Sequence, residues 1–144
     1  MPVYEYPRPA LTVDIVVFAG EPSARRVLLI RRAEEPFMGR WALPGGFVDE
    51  GERLQDAARR ELAEETALVV DAPFVQIGTF GDPGRDPRGW TVSVVFGVIL
   101  DGELPEVSGS DDAEEAAWHS LDAPPSLAFD HDLVLETARV RLGV

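Results

Sequence analysis

Cysteine is absent from the 144 residues, which excludes a disulfide framework and any thiolate-bound zinc site. Histidine occurs only twice, and neither copy stands in a nucleophile motif, so a histidine-based triad has little to rest on. Long hydrophobic runs are missing too. The longest, residues 90–100, falls well short of the ~20 residues that cross a bilayer. The opening Met-Pro-Val-Tyr-Glu-Tyr-Pro-Arg-Pro has no apolar core of a secretory signal. Positive charge is scarce: 13 Lys and Arg stand against 26 Asp and Glu, a net charge of −13. Nucleic-acid or anionic-membrane partners, which select basic patches, are therefore not expected. A cytoplasmic protein acting on a small molecule is.

With 45% hydrophobic residues, the chain can bury one core of ordinary size, and residues 1–144 read as one domain. Residues 11–18 and 27–30 are apolar, β-branched runs bounded by Pro, Gly and Ser, hence strands. Residues 75–80 and 90–100 read as a hairpin around the turn-rich Gly81-Asp82-Pro83-Gly84-Arg85-Asp86-Pro87-Arg88-Gly89. Residues 116–120 form a short strand candidate, and residues 132–141 an amphipathic terminal helix. The pattern is α/β, a mixed sheet with a helix on each side.

The informative stretch runs from Gly46 to Leu68, a glycine-led loop feeding a helix. Glu61, Glu64 and Glu65 stand at i, i+3 and i+4, which brings their Cβ atoms within about 5–6 Å on one face. Leu54, Ala57 and Ala58 project onto the same arc as Glu61 and Glu65, so these acids face protein. Like charges so placed repel, and burial raises the cost. A divalent cation between them resolves the conflict, and carboxylate oxygens suit Mg²⁺, with Mn²⁺ as the alternative. The competing reading is a solvated acidic face bridged by Arg59 or Arg60.

This segment resembles the signature of the Nudix hydrolases. Gly46, Glu52, Arg60, Glu61, Leu62, Glu64, Glu65 and Leu68 fill its fixed positions. Ala67 departs, standing where the family carries a glycine that ends the helix in a left-handed turn. The resemblance implies an α/β/α sandwich with a mixed central sheet. It implies metal ligation by Glu61, Glu64, Glu65 and the Gly45 carbonyl, which Trp41-Ala42-Leu43-Pro44-Gly45 delivers to the box, with Arg60 orienting the glutamates. A further acid is expected before a late tryptophan. In Asp111-Asp112-Ala113-Glu114-Glu115-Ala116-Ala117-Trp118 this is Glu115, three before Trp118, with Glu114 its rival. Glu61 and Glu115 are both candidates for the general base.

The hairpin loop Gly84-Arg85-Asp86-Pro87-Arg88-Gly89 and the later Leu127-Ala128-Phe129-Asp130-His131 are similar to the ADP-ribose pyrophosphatase branch. The resemblance makes Arg85, Arg88, Asp130 and His131 substrate-binding residues, the arginines suiting bidentate grip of phosphate. The bland alternative is a solvated tip neutralised by Asp86. The implied reaction is hydrolysis of ADP-ribose to AMP and ribose 5-phosphate. Nucleoside triphosphates, dinucleoside polyphosphates and NADH are the alternative substrates. A non-catalytic ADP-ribose sensor is a further alternative, disfavoured by the intact box glutamates and by the lack of a winged helix after the domain. The branch also implies a homodimer, in which residues 4–9 could exchange between subunits.

Overall fold

The computed structural model describes residues 3–110 and 112–144; Asp111 of the acidic run lies outside the described residues. Strand β1 (Ala10–Ala19) is the spine of a seven-stranded mixed sheet. It pairs in parallel along its whole length with β6 (Thr91–Leu100), which pairs antiparallel with β5 (Val75–Phe80). The expected hairpin across the Gly- and Pro-rich turn is present. On its other side β1 meets β2 (Arg26–Arg32) only at Phe18↔Val27 and Ala19↔Arg26. Its leading end pairs instead with β4 (Gly45–Phe47), through Thr12↔Phe47, Val13↔Gly46 and Asp14↔Gly45. β2 carries β3 (Trp41–Ala42) and β7 (Ala113–Ser120).

Two helices cover the sheet, α1 (Leu54–Thr66) and α2 (His131–Leu142). Side chains alternate along a strand, so Val13, Ile15 and Val17 of β1 pack with Ala57, Ala58 and Leu62 of α1. Val16 and Phe18 pack with Val134, Leu135 and Ala138 of α2. The architecture is the expected α/β/α sandwich. By the same alternation Thr12 and Asp14 belong to the α2 face, and their β6 neighbours Thr91 and Ser93 share it through the register Ala10↔Thr91 and Thr12↔Ser93. All four are buried. A polar floor thus interrupts the apolar sheet at the parallel ends of its two central strands.

The short strands β3 and β4 carry no strand signature in sequence, because Pro44, Gly45 and Gly46 disfavour strands. They exist because β1 and β2 diverge and leave edges to be paired. β7 begins at Ala113, three residues earlier than expected, since β2 offers backbone partners back to Arg32. At the end of α1, Ala67 takes the left-handed conformation (φ 64°, ψ 7°) and its N–H reaches the Ala63 carbonyl. The family turn is made here by alanine. No helix among the described residues is long and apolar enough to cross a membrane.

Candidate active site

A cavity of about 260 Å³ opens where β1 parts from β2, and its lining includes Asp14, Gly45, Glu61, Glu65, Arg85 and Arg88. β4 is the seam of the site. A methyl group on Gly45 would overlap the Asp14 carboxylate and the Val13 carbonyl, and one on Gly46 would overlap the Glu61 carboxylate. Glycine is required at both positions so that acids from opposite faces of the sheet can close on one strand.

Glu65 is the most buried of the box acids, 6% exposed. It accepts one hydrogen bond, from the Gly45 N–H at 2.8 Å. Burial pushes its carboxyl up to about 8, and the nearby Glu61 and Asp14 charges add to the effect against the Gly45 hydrogen bond. Glu61 is also raised, by burial, although Arg60 opposes it. Arg60 gathers the acids: its guanidinium reaches Glu52 at 2.7 and 2.9 Å, Glu61 at 2.8 Å, Glu64 at 3.2 Å and the Phe47 carbonyl at 3.1 Å. The Arg60 hydrogen bonds hold Glu52 down at about 2. The orienting role expected of Arg60 is thus visible as contacts.

Among the described residues no three His, Asp or Glu side chains converge on one cation position. Glu61 and Glu64 are turned onto Arg60 instead. The donor set still fits a hard divalent ion: it is all oxygen, and Glu65, forced toward neutrality by burial, lacks the positive partner a buried carboxylate needs. Glu115 lies elsewhere. It sits on β7 opposite Arg31, 3.6 Å from that guanidinium, with half its side chain in solvent and outside the cavity lining. Glu114 also faces Arg31, at 3.3 Å. The acid of this run that lines the cavity is Asp112, whose carbonyl accepts the Ala33 N–H.

The two loop arginines are not equivalent. Arg85 is 5% exposed and its Nε and Nη2 donate to the two oxygens of Asp130 at 2.9 and 2.7 Å. Arg88 is 43% exposed and pairs with Asp86 at 2.8 Å. Its guanidinium lies over the Phe47 and Phe129 rings, 5.2 and 5.6 Å from their centroids. His131, the first residue of α2, accepts the Leu43 N–H on Nδ1 at 3.0 Å. Its proton is therefore on Nε2, 3.6 Å from Asp14 Oδ1. Asp130 and His131 thereby fasten the helix to the arginine loop and to the segment that leads into Gly45.

Arg32, which sequence reasoning passed over, lines the same cavity. Its Nε donates to the Pro36 carbonyl at 2.7 Å, and its guanidinium stands 4.9 Å from the Phe129 centroid. Among the described residues it has no carboxylate within ion-pair distance. Burial, and then the Arg88 charge, lower its affinity for its own proton. Asp14 was missed as well, although a lone acid within Leu-Thr-Val-Asp-Ile-Val-Val-Phe was a visible signal. The arrangement is a pocket lined by carboxylates and by three arginines, Arg32, Arg85 and Arg88, of which Arg32 has no ion-pair partner among the described residues. That suits a cation-assisted reaction at a phosphate.

The family model for the NUDIX domain matches residues 8–138. An ADP-ribose pyrophosphatase of Methanocaldococcus jannaschii is 41% identical over 91% of this chain and 73% of its own length. The ADPR responsive transcriptional repressor NtrR of Acinetobacter baylyi is 36% identical over 96% of this chain, which spans only 56% of that protein. Among solved structures, the NUDIX domain of Shewanella oneidensis NrtR complexed with ADP ribose superposes with a TM-score of 0.86 at 37% identity, covering 95% of this chain and 90% of the other.

Proposed function

This chain belongs to the NUDIX domain family, and from that premise we propose that it hydrolyses the diphosphate of ADP-ribose to AMP and ribose 5-phosphate with a divalent metal, Mg²⁺ or Mn²⁺. The observation that carries the reading is the one cavity lined by Glu61 and Glu65 together with Arg32 and Arg88. Its support from outside the chain is the 41% identity to an ADP-ribose pyrophosphatase.

Glu61, Glu64, Glu65 and the Gly45 carbonyl would hold the metal, Glu61 and Glu64 turning off Arg60 to do so. When bound, the ion polarises phosphoryl oxygens and lowers the pKa of a coordinated water. Glu61, which lines the cavity where Glu115 does not, is assigned as the group that takes the proton from the attacking water. Arg60, anchored on Glu52, holds the glutamates poised until the metal takes them. Arg88 and Arg32 grip the diphosphate oxygens, and the charge they supply offsets the net −13 of the chain. Arg85 shapes the loop through Asp130, and His131 holds the approach to Gly45. The substrate is a small nucleotide; no nucleic-acid partner is proposed, and the site is assigned to a cytoplasmic enzyme.

A second reading, an ADP-ribose sensor without turnover, is favoured by the similarity to NtrR. One experiment separates them. The purified protein is incubated with Mg²⁺ and ADP-ribose, ATP, a dinucleoside polyphosphate and NADH, and AMP release is followed. Rapid AMP formation from ADP-ribose, abolished by EDTA, is expected. Saturable ADP-ribose binding with no AMP formed would establish the sensor instead.

A further inference from the structure

Phe129 holds a backbone conformation that suits glycine and not an aromatic residue. Its φ is 54°, a positive value shared only by Phe37 and Ala67 among the described non-glycine residues. A bulky side chain in that region is a rarity, so something other than the turn keeps a ring at this position. The turn itself is fully used. Ala128 donates its N–H to the Trp41 carbonyl, Asp130 takes Arg85, and His131 takes the Leu43 N–H.

The Phe129 ring stands in the cavity lining. Two guanidiniums lie over it, Arg32 at 4.9 Å and Arg88 at 5.6 Å from its centroid. Phe37, the second phenylalanine with positive φ, meets it edge-on at 4.8 Å. Beyond Arg88 comes Phe47, 5.2 Å away. Rings and guanidiniums thus alternate in one chain of contacts: Phe47, Arg88, Phe129, Arg32.

This order solves a problem of charge. Two cations so near each other repel, and Glu34, Glu35 and Asp112 line the same cavity, any of which could draw Arg32 onto itself. Arg32 nonetheless has no carboxylate partner among the described residues. It is held by the Pro36 carbonyl on Nε and by the electron-rich face of Phe129. Neither anchor carries a net charge, so the guanidinium stays free for an anionic ligand. We propose that Phe129 is a positioning residue: its ring sets the placing of Arg32 and Arg88 and keeps both available to a diphosphate, without itself touching base or sugar. This rests on the reading of the two arginines as the diphosphate grip and adds the group that organises it. Phe129 also closes a small apolar cluster with Ile30, Ala42 and Ala128. For a ring that only filled space there, shape would count and the electron density of its face would not.

The test uses the Mg²⁺-loaded protein as wild type, as Phe129→Leu, and as a form carrying pentafluorophenylalanine at position 129. Fluorination keeps the shape of the ring and removes the negative character of its face. Two quantities are measured: steady-state AMP release from ADP-ribose, and competitive inhibition by methylenediphosphonate, a diphosphate mimic with neither base nor sugar. Phe129→Leu should raise KM about tenfold with kcat held, the scale of two cation–π contacts. The fluorinated protein should show a rise in the same direction with its melting temperature unchanged. In both, inhibition by methylenediphosphonate should weaken by the same factor as KM rises. A fluorinated protein with wild-type KM would overturn the proposal, since only the shape of the ring would then count. So would a rise in KM with inhibition unchanged, because the ring would then be touching the nucleoside or the sugar. Should Phe129→Leu not fold, the fluorinated protein decides alone. If the wild type releases no AMP, the hydrolytic reading has failed, and calorimetric affinity for methylenediphosphonate judges Phe129 instead: weaker binding by the fluorinated protein sustains the positioning role, while equal binding, or none by the wild type, overturns it.

Discussion

Arg85 and Asp130 are joined by a two-point ion pair, 2.9 and 2.7 Å, with the guanidinium 5% exposed and the carboxylate 22%. The pair ties the loop between β5 and β6 to the first turn of α2. Both donors that form the fork are used within the protein, so Arg85 cannot offer that fork to a phosphate without leaving Asp130 unpaired. Arg85→Ala should therefore cost about 3 kcal/mol of stability, the scale for breaking a buried pair. Arg88→Ala removes a 43% exposed side chain but leaves the 3% exposed carboxylate of Asp86 without its arginine, so it should cost about 1–3 kcal/mol and also raise KM for ADP-ribose, which Arg85→Ala should do far less. Steady-state kinetics of both variants beside their urea unfolding reads the difference; an equal rise in KM would remove the division of labour.

Glu65 gives the site a pH signature. In metal-free protein its carboxyl is raised from 4.5 to about 8, so between those values the unfolded chain gives up a proton that the folded chain keeps. Stability contributed by this group is whole below pH 4.5 and falls as pH rises toward 8, by at most roughly 4–5 kcal/mol. The measurement is the stability difference between wild type and Glu65→Gln in EDTA, from pH 5 to 8. It should move against the wild type as pH rises, and saturating Mg²⁺ should cancel the trend. A pH-independent difference would show that Glu65 is charged in the apo fold. Turnover of Glu65→Gln should fall about 10²-fold or more.

Ala67 holds φ 64° without the freedom of glycine. An alanine in that conformation costs roughly 1 kcal/mol relative to glycine, partly offset by the lower entropy of the unfolded alanine chain. Ala67→Gly should be neutral or raise the melting temperature by a few degrees, with kinetics unchanged because the turn is already formed. A clear fall in melting temperature would mean that unfolded-state entropy outweighs the relief of strain.

The box and the sandwich were legible because they are written locally. Glu61, Glu64 and Glu65 are three and four residues apart, and the apolar, β-branched runs of β1 and β6 declare two strands. Long-range pairing was not legible. Nothing near Arg85 in sequence names Asp130, 45 positions away, so two arginines that look alike in the loop proved to have different surroundings. Asp112 replaces Glu115 at the cavity wall because β7 starts early, directing Glu115 to Arg31. Arg32 and Arg31 are indistinguishable as a pair in sequence; strand alternation sends one into the cavity and the other to the acids of β7.

Gly46 offers the sharpest separation of activity from stability. Its backbone has an ordinary conformation, so alanine carries no backbone strain there, and the three atoms nearest to a methyl group would be those of the Glu61 carboxylate. That carboxylate is the mobile end of a side chain held by Arg60 at 2.8 Å, and it can swing away at modest cost. Gly46→Ala should then lose no more than about 1–2 kcal/mol of stability. Turnover should fall on the order of 10²-fold, because Glu61 is displaced from the position in which it serves the metal and the attacking water. Gly45→Ala is the contrasting case: its methyl group would overlap the Val13 carbonyl, which is backbone within β1 and cannot move aside. That variant should lose both fold and activity. Denaturant unfolding of the pair, alongside Mg²⁺-dependent AMP release, gives the answer. A Gly46→Ala protein with wild-type turnover would show that Glu61 acts from a different rotamer and that its contact with β4 has no catalytic meaning.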